Sequence, residues 1–141
     1  MIVVKLAKTN AELGISKEIR NLVFVNEQKI SKELDQDGKD DLSFHFILYL
    51  NNNPIGCSRL RIADNNAKLE RIAILKEFRG KGLGKELLTY MINFAKRKGI
   101  TGIFLNAQYY LLDYYQECGF IPVGLPFIEV GIKHIKMKYS G

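Results

Sequence analysis

Apolar positions along this chain of 141 residues follow two periods, one typical of strands and one typical of helices. Short runs rich in aromatic and branched residues, bounded by Asn, Asp, Gly or Pro, predict strands. Seven segments have this pattern, at residues 2–6, 43–50, 55–62, 68–74, 103–105, 120–123 and 132–139. The three consecutive runs between residues 43 and 74, separated only by short turns, predict an antiparallel meander.

Helical spacing of apolar residues predicts three helices, at residues 10–25, 83–98 and 109–118. The first begins where Thr9 and Glu12 have the spacing of a capping box. The acidic segment 26–42 is expected to be a solvated loop with at most one helical turn. The pattern therefore predicts a single α/β domain over residues 1–141, with a mixed sheet and a strand–helix–strand unit at its centre.

Composition excludes several protein classes. Hydrophobic residues make up 47% and charged residues 26% of the chain, as in ordinary globular domains. No apolar run approaches the roughly 18 residues of a membrane span, so no membrane partner is expected. The chain has only two cysteines, Cys57 and Cys118. So few cysteines argue against a disulfide framework and favour the reducing cytoplasm as the location. With His45 and His134 they have no zinc-ligand spacing, so no metal is expected.

Basic residues concentrate in one part of the chain. The net charge is +6, and residues 68–98 contain nine basic but only three acidic side chains. Such a field attracts a phosphorylated ligand or a polyanion. A nucleic-acid-binding domain is therefore one hypothesis, but no known module of that kind is recognisable and no nucleic-acid partner is expected. The simplest alternative is a solvated basic face.

The most informative stretch runs from Arg79 to Gly84, in the sequence RGKGLG, between a predicted strand and an amphipathic helix. Its glycines permit a left-handed backbone and close approach of a ligand, and the helix start presents unpaired N–H groups. With the charges of Arg79, Lys81 and Lys85, these features predict a cradle for phosphate or pyrophosphate. The spacing matches neither the P-loop nor the dinucleotide fingerprint, but it matches R-x-x-G-x-G. A turn shaped only by its glycines is the alternative.

With this turn, the sequence resembles the GNAT superfamily, whose members transfer an acetyl group from acetyl-CoA to an amine. Residues 68–74 resemble the fourth strand of that family, and residues 77–84 resemble its pyrophosphate turn. Tyr115, in the sequence Tyr-x-x-x-Gly-Phe, resembles a characteristic helix end. Further segments are similar to small, mostly bacterial members and to divergent protozoan glucosamine 6-phosphate N-acetyltransferases, at residues 20–28, 105–108 and 131–134.

The resemblance implies a mostly antiparallel sheet that is splayed at its centre and flanked by helices, with acetyl-CoA in the split. The pantetheine would pair with the backbone of one strand, and the pyrophosphate would lie on the glycine-rich turn. A homodimer is also expected. The residues assigned to acetyl-CoA in this way are Ile72, Ala73, Ile74, Arg79, Gly80, Lys81, Gly82, Leu83, Gly84, Lys85, Asn106 and Tyr115.

The chemistry requires a base, because an alkyl ammonium with a pKa near 10 is only about 0.1% neutral at pH 7. Glu70 is the candidate for this base or for a carboxylate that orients a water, and an exposed residue on a half-solvated sheet is the alternative. Strand alternation predicts that Glu70 shares a face with Ile72 and Ile74, opposite Arg71 and Ala73. Weaker candidates for the base are Asn106, His45 and His134.

Tyr115 is the candidate acid for the departing CoA thiolate, and its family position supports this role over that of a packing aromatic. A backbone N–H near Ile74 is the expected donor to the oxyanion.

The leading hypothesis is an acetyl-CoA-dependent N-acetyltransferase that acts by direct transfer on a primary amine of a small molecule. Glucosamine 6-phosphate is one possible acceptor, since several side chains could contact a phosphate: Arg59, Arg61, Lys133 and His134. Peptide or protein amines are another acceptor class. A non-catalytic acyl-CoA-binding regulator is the alternative outside enzymes, and it would not need Tyr115.

Overall fold

A computed structural model describes residues 1–141, which form one seven-stranded sheet with helices on both faces. The strands, given in chain order, are β1 (Ile2–Leu6), β2 (Ser43–Leu50), β3 (Asn53–Ala63), β4 (Asn66–Ile74), β5 (Gly102–Gln108), β6 (Phe120–Glu129) and β7 (Ile132–Tyr139). Their spatial order is β1-β2-β3-β4-β5-β7-β6, and only β4 and β5 are parallel neighbours. The predicted mixed, mostly antiparallel sheet is confirmed.

The helices are α1 (Asn10–Arg20), α2 (Lys32–Asp35), α3 (Leu83–Arg97) and α4 (Leu112–Glu117). A large core joins α3 and α4 to one face of the sheet, and a smaller one joins α1 to the other face. None of these helices is both long and apolar enough to cross a membrane. The predicted meander, β2 to β4, is confirmed. Its two hairpins turn at Asn51-Asn52 and Asp64-Asn65, where short polar side chains tolerate positive φ.

The first helix begins as predicted but ends differently. The Thr9 hydroxyl accepts a hydrogen bond from the Glu12 N–H at 3.1 Å, and the Glu12 carboxylate accepts one from the Thr9 N–H at 3.0 Å. After Arg20 the chain does not continue as an α-helix to Val25 but widens into a π-helical segment, Asn21–Glu27. Such wide turns often occur at functional positions.

The edge strand β6 extends to Glu129 rather than ending at the predicted residue 123. Gly124, with a φ of 78°, and Pro126 indicated a break, but an edge strand tolerates both residues. The register shifts between Val123 and Phe127.

The sheet opens between β4 and β5. These strands pair only over Asn66–Leu69, opposite Gly102–Leu105. From Glu70 onward β4 pairs with β3 alone, while β5 pairs with β7 on its other side. The sheet is therefore splayed at its centre, as the family resemblance implied.

A β-bulge in β4 lies where the two strands separate. Cys57 is opposite Ala73, but Arg59 is opposite Glu70, so β4 contains one extra residue there. Arg71 takes up the extra length with a φ of 54°. This left-handed conformation is uncommon for a residue other than glycine.

The bulge makes the predicted alternation of β4 wrong. Ile72 and Ile74 pack with Leu69 in the core under α3, whereas Ala73 packs in the smaller core under α1. Glu70 does not share their face, because it pairs with cations on the α1 side. Sequence periodicity could not show the bulge, because a single left-handed residue leaves no periodic signal.

Candidate active site

The open edge of β4 presents backbone groups at alternate residues. The Leu75 N–H donates to the Ile55 carbonyl at 2.9 Å, so the backbone groups of Leu75 point towards β3. By strand alternation the backbone groups of Ala73 also point towards β3, and those of Ile72 and Ile74 point towards the open edge. The backbone of Ala73 is therefore not available to a ligand there, which corrects its assignment to acetyl-CoA. The assignment of Ile72 and Ile74 to acetyl-CoA stays a prediction.

The glycine-rich turn begins α3 without a side-chain cap. Its N-cap residue is Gly82, which has a φ of 77°, and no side chain hydrogen-bonds to the helix start. The first N–H groups of α3 therefore have no acceptor within the helix. Uncapped N–H groups and the positive end of the helix dipole form an anion site.

Glycine is required in this turn for two different reasons. Gly80 and Gly82 have φ values of 79° and 77°, and a Cβ atom at either would meet no other atom within 4 Å. Backbone strain therefore accounts for these two glycines. At Gly84 a Cβ atom would lie 2.5 Å from the Tyr114 hydroxyl, so this glycine permits contact between α3 and α4.

Arg79 anchors the turn and does not act as a free cation. Its Nη1 and Nη2 donate to the two Glu27 carboxylate oxygens at 2.6 and 2.7 Å, and its Nε donates to the Ile74 carbonyl at 2.9 Å. The hydrogen bonds from Arg79 lower the pKa of Glu27. The expectation that Arg79 adds positive charge to the cradle is wrong. The exposed side chains of Lys81 and Lys85 remain as its cations.

Where β4 and β5 diverge, side chains from both faces of the sheet line one cleft of about 330 Å³. The predicted catalytic residues Glu70 and Tyr115 lie on it, together with Ile72, Asn106 and His134. Residues far apart in the chain are thus brought together at the open edge. No group of three or more His, Cys, Asp or Glu side chains is arranged to hold a metal ion.

Glu70 is held by cations. One carboxylate oxygen lies 3.0 Å from Arg59 Nη2 and 3.1 Å from Arg61 Nε, and the other lies 3.5 Å from Lys68 Nζ. Burial opposes ionisation of Glu70, but the hydrogen bond from Arg61 and the charges of Arg59 and Lys68 outweigh it and lower the pKa. Such a carboxylate is a weak proton acceptor at neutral pH.

The acidic segment is not the solvated loop that its composition predicted. Asp37 and Asp40 accept hydrogen bonds from Arg59, at distances between 2.8 and 3.0 Å. Arg20 bonds to Asp40 at 2.8 Å and lies 3.3 Å from Asp35, which is 8% exposed. The segment therefore forms one wall of the cleft, supported by buried arginines.

The arginines expected to contact a phosphate are already engaged. Arg59 is completely buried, and Arg61 is bound to Glu70. Lys133 does not line the cleft, and its ammonium lies 4.1 Å from the centre of the Tyr109 ring. Of the four residues, only His134 faces the cleft.

Tyr115 is 8% exposed, and its ring packs edge-on against Tyr114 and Phe120, with centroids 5.2 and 6.1 Å away. Burial raises the pKa of Tyr115, so its hydroxyl stays protonated at neutral pH. Because Tyr115 borders the cleft and forms no hydrogen bond there within the protein, this hydroxyl is free to donate to a ligand.

The two histidines are equally buried but bonded differently. Nε2 of His45 donates to the Asp40 carbonyl at 2.9 Å, away from the cleft. Nδ1 of His134 donates to the Ile132 carbonyl at 2.7 Å, and its ring stacks on Phe127 with centroids 5.9 Å apart. His45 therefore supports the fold, and His134 borders the cleft with its second nitrogen uncommitted.

Reasoning from the sequence missed a polar contact across the cleft. Gln28 follows the π-helical segment and accepts a hydrogen bond from Gln108, at the end of β5, at 3.0 Å. Both lie within segments quoted for the family resemblance, which was the only sequence signal for them. Lys68, beside Glu70, gave no signal beyond its charge.

Comparisons with known proteins agree with this geometry. The profile of the Acetyltransferase (GNAT) domain matches residues 11–140. The uncharacterised protein YyaT of Bacillus subtilis is 37% identical over 95% of this chain and 93% of its own length. The uncharacterised N-acetyltransferase YjcF of the same organism is 32% identical over 94% and 95%.

Among solved structures, an acyl-CoA N-acyltransferase from Pseudomonas aeruginosa superposes with a TM-score of 0.86 and 27% identity, covering 99% of both chains. The family profile, the relatives and the shared fold all indicate the same family. The chain belongs to the GNAT superfamily and is an acetyltransferase whose acetyl donor is acetyl-CoA.

Proposed function

We propose that this enzyme transfers acetyl from acetyl-CoA directly to a primary amine of a small molecule. The observation that carries the proposal is the continuity of three features: an uncapped α3, an unpaired β4 edge and a cleft containing Glu70 and Tyr115. Pyrophosphate at α3 and pantetheine along β4 would bring the thioester to the cleft. The cleft volume of about 330 Å³ suits a small acceptor.

Four residues on or beside the cleft then have roles in the transfer. The Ile74 N–H, on the open edge of β4, donates to the oxyanion, while the Ile74 carbonyl is already occupied by Arg79. Tyr115 donates a proton to the departing thiolate. Glu70, ionised and held by cations, orients a water or the incoming ammonium. We propose Asn106 as a further contact to acetyl-CoA, because it lies on the cleft beside these groups.

The narrower proposal of glucosamine 6-phosphate as acceptor requires a different phosphate site from the one expected. Since Arg59, Arg61 and Lys68 are engaged by carboxylates, the cation on the cleft without an ion pair is Lys39. If the acceptor is phosphorylated, Lys39→Ala should raise its KM. The same variant should not change the KM of an uncharged analogue.

Release of free thiol from acetyl-CoA tests the function across a panel of polyamines, amino sugars with and without phosphate, amino acids and lysine peptides. Turnover is expected with a small amine, and intersecting initial-rate lines are expected for direct transfer. Turnover only with peptides would assign the enzyme to protein or peptide acetylation. Binding of acetyl-CoA with no turnover would support the alternative of a non-catalytic regulator.

We also propose that residues 1–141 act as a single acetyltransferase domain that forms a homodimer in the cytoplasm. The edge strand β6 supports the dimer, because Leu125 and Ile128 are 85% and 70% exposed on it. Light scattering should show a dimer for the wild type and a monomer for Leu125→Glu. The free thiols of Cys57 and Cys118 agree with a reducing compartment. Cell fractionation would test that location.

A further inference from the structure

We infer that His134 is the catalytic base that removes the proton from the acceptor ammonium, an assignment that rests on the proposed function. The bonding of the ring establishes which nitrogen can act. The Ile132 carbonyl can only accept a hydrogen bond, so the contact of 2.7 Å places the proton on Nδ1. In the neutral ring, Nε2 then has a free lone pair.

The surroundings of His134 hold the ring in place and leave Nε2 open. The ring is 5% exposed and lies nearly parallel to Phe127, with an angle of 23° between the planes. Gln108 is its partner across the β5–β7 ladder, but the Gln108 amide donates to Gln28 instead. No atom of the chain hydrogen-bonds to Nε2, and His134 borders the same cleft as Tyr115 and Glu70.

Two comparisons within the molecule favour His134 over other bases. Glu70 has its oxygens held by Arg59, Arg61 and Lys68, which lower its pKa and weaken it as a proton acceptor. His45 is as buried as His134, but its Nε2 already bonds to the Asp40 carbonyl. His134 thus combines a place on the cleft with an uncommitted lone pair, which neither Glu70 nor His45 does.

The proton balance assigns two side chains to separate steps. Nε2 of His134 takes one proton from the ammonium, and the neutral amine attacks the thioester carbon, forming the C–N bond. As the C–S bond breaks, the sulfur takes the proton of the Tyr115 hydroxyl. The tyrosinate recovers a proton from the new amide nitrogen, and His134 releases its own to solvent. The net products are one amide, one thiol and one proton.

The test compares two small acceptors that differ in their need for a base. n-Propylamine is almost entirely protonated at neutral pH, whereas hydroxylamine is mostly neutral. In His134→Asn the amide can still donate to the Ile132 carbonyl, but no base remains. We expect kcat/KM for n-propylamine to fall about 10²-fold or more, and kcat/KM for hydroxylamine to fall by less than about tenfold. Acetyl-CoA affinity should stay near that of the wild type.

His45→Asn and Glu70→Gln are the matched variants. His45→Asn should lower the melting temperature without changing the preference between the two acceptors. Equal losses for both acceptors in His134→Asn, or no loss, would overturn the inference and leave the proposed function standing. Selectivity in Glu70→Gln instead would make Glu70 the base. A wild-type enzyme that binds acetyl-CoA but acetylates no amine would reject the proposed function and this inference together.

Discussion

The two long helices of this protein begin in opposite ways. At α1 the Thr9 hydroxyl and the Glu12 carboxylate satisfy the first backbone groups. At α3 the chain enters through left-handed Gly82, and no side chain caps the helix. A helix start that is satisfied from within serves the fold, whereas one left open can bind an anion.

The same contrast separates two regions of the molecule. In the closed region, around α1, the carboxylates, the Nη groups of the buried arginines and the His45 ring find partners within the protein, whereas Nε of Arg20 and Nε of Arg59 are buried without one. The open region surrounds the cleft. Three polar groups there have no partner within the protein: the edge of β4, the Tyr115 hydroxyl and Nε2 of His134. Polar groups that border a cleft and lack a partner therefore indicate a ligand site more sharply than the number of charged residues does.

The largest effect is expected in the open region, from Tyr115→Phe. Loss of a general acid should lower kcat by about 10²–10⁴-fold, which corresponds to roughly 3–5 kcal/mol. Acetyl-CoA affinity should change little, because the hydroxyl acts only as charge develops on sulfur. Steady-state kinetics and a melting curve on one preparation check this. A kcat within twofold of the wild type would reject the role.

Gly82→Val should weaken acetyl-CoA binding by more than tenfold, or about 1.4 kcal/mol, because a side chain would block the approach of pyrophosphate to the backbone. Gly99→Val is the control, since Gly99 has a φ of 78° and equally open surroundings beyond the other end of α3. Calorimetry should show normal binding for Gly99→Val. Equal losses in both variants would indicate backbone strain and not a lost binding site.

In the closed region, stability should fall in acid. The hydrogen bonds from Arg59 lower the pKa of Asp37, and the pKa of Asp40 is lowered by Arg20 and Arg59 despite burial. Ionisation therefore stabilises the fold above the unfolded-state pKa of about 4, and this contribution is lost as pH falls through the lower folded-state values. Urea unfolding between neutral and acidic pH should show the loss. It should be smaller in Asp37→Asn and unchanged in Glu33→Gln, which removes an exposed carboxylate without an ion pair.

The smallest effect is expected from Thr9→Ala, which removes the cap of α1. Loss of a cap costs about 1 kcal/mol of folding free energy. The urea midpoint should fall while the affinity for acetyl-CoA stays unchanged. A change in affinity would show that the two helix starts are coupled and would contradict the separation between the closed and the open regions.

Local signals in the sequence were enough for much of the fold and for the cofactor turn. The capping box of α1, the Asn and Asp hairpins and the glycines before α3 depend on neighbouring residues, so each could be predicted. The seven strands were all recognised, although β6 was cut short at Gly124 because an edge strand accepts residues that break an internal one.

Features that depend on residues distant in the chain could not be predicted. The partners of Arg59 lie in a segment about 20 residues earlier, so the acidic segment was interpreted as solvated. Glu27 binds Arg79 from 52 positions away in the chain. Arg79 therefore anchors the turn, although the sequence predicted a free cation there. Which histidine keeps a free nitrogen is decided by single carbonyl contacts that no spacing reveals.

The bulge at Arg71 makes β4 sensitive to length as well as to composition. Deleting one residue there would leave Ala73 opposite Cys57 and Glu70 opposite Arg59 in a regular ladder, so both side chains would keep their faces. The deletion would instead remove the local kink and the stronger twist that a bulge gives a strand. Because the bulge lies where β4 leaves β5, the shortened strand should pair with β5 beyond Leu69 and narrow the opening of the sheet.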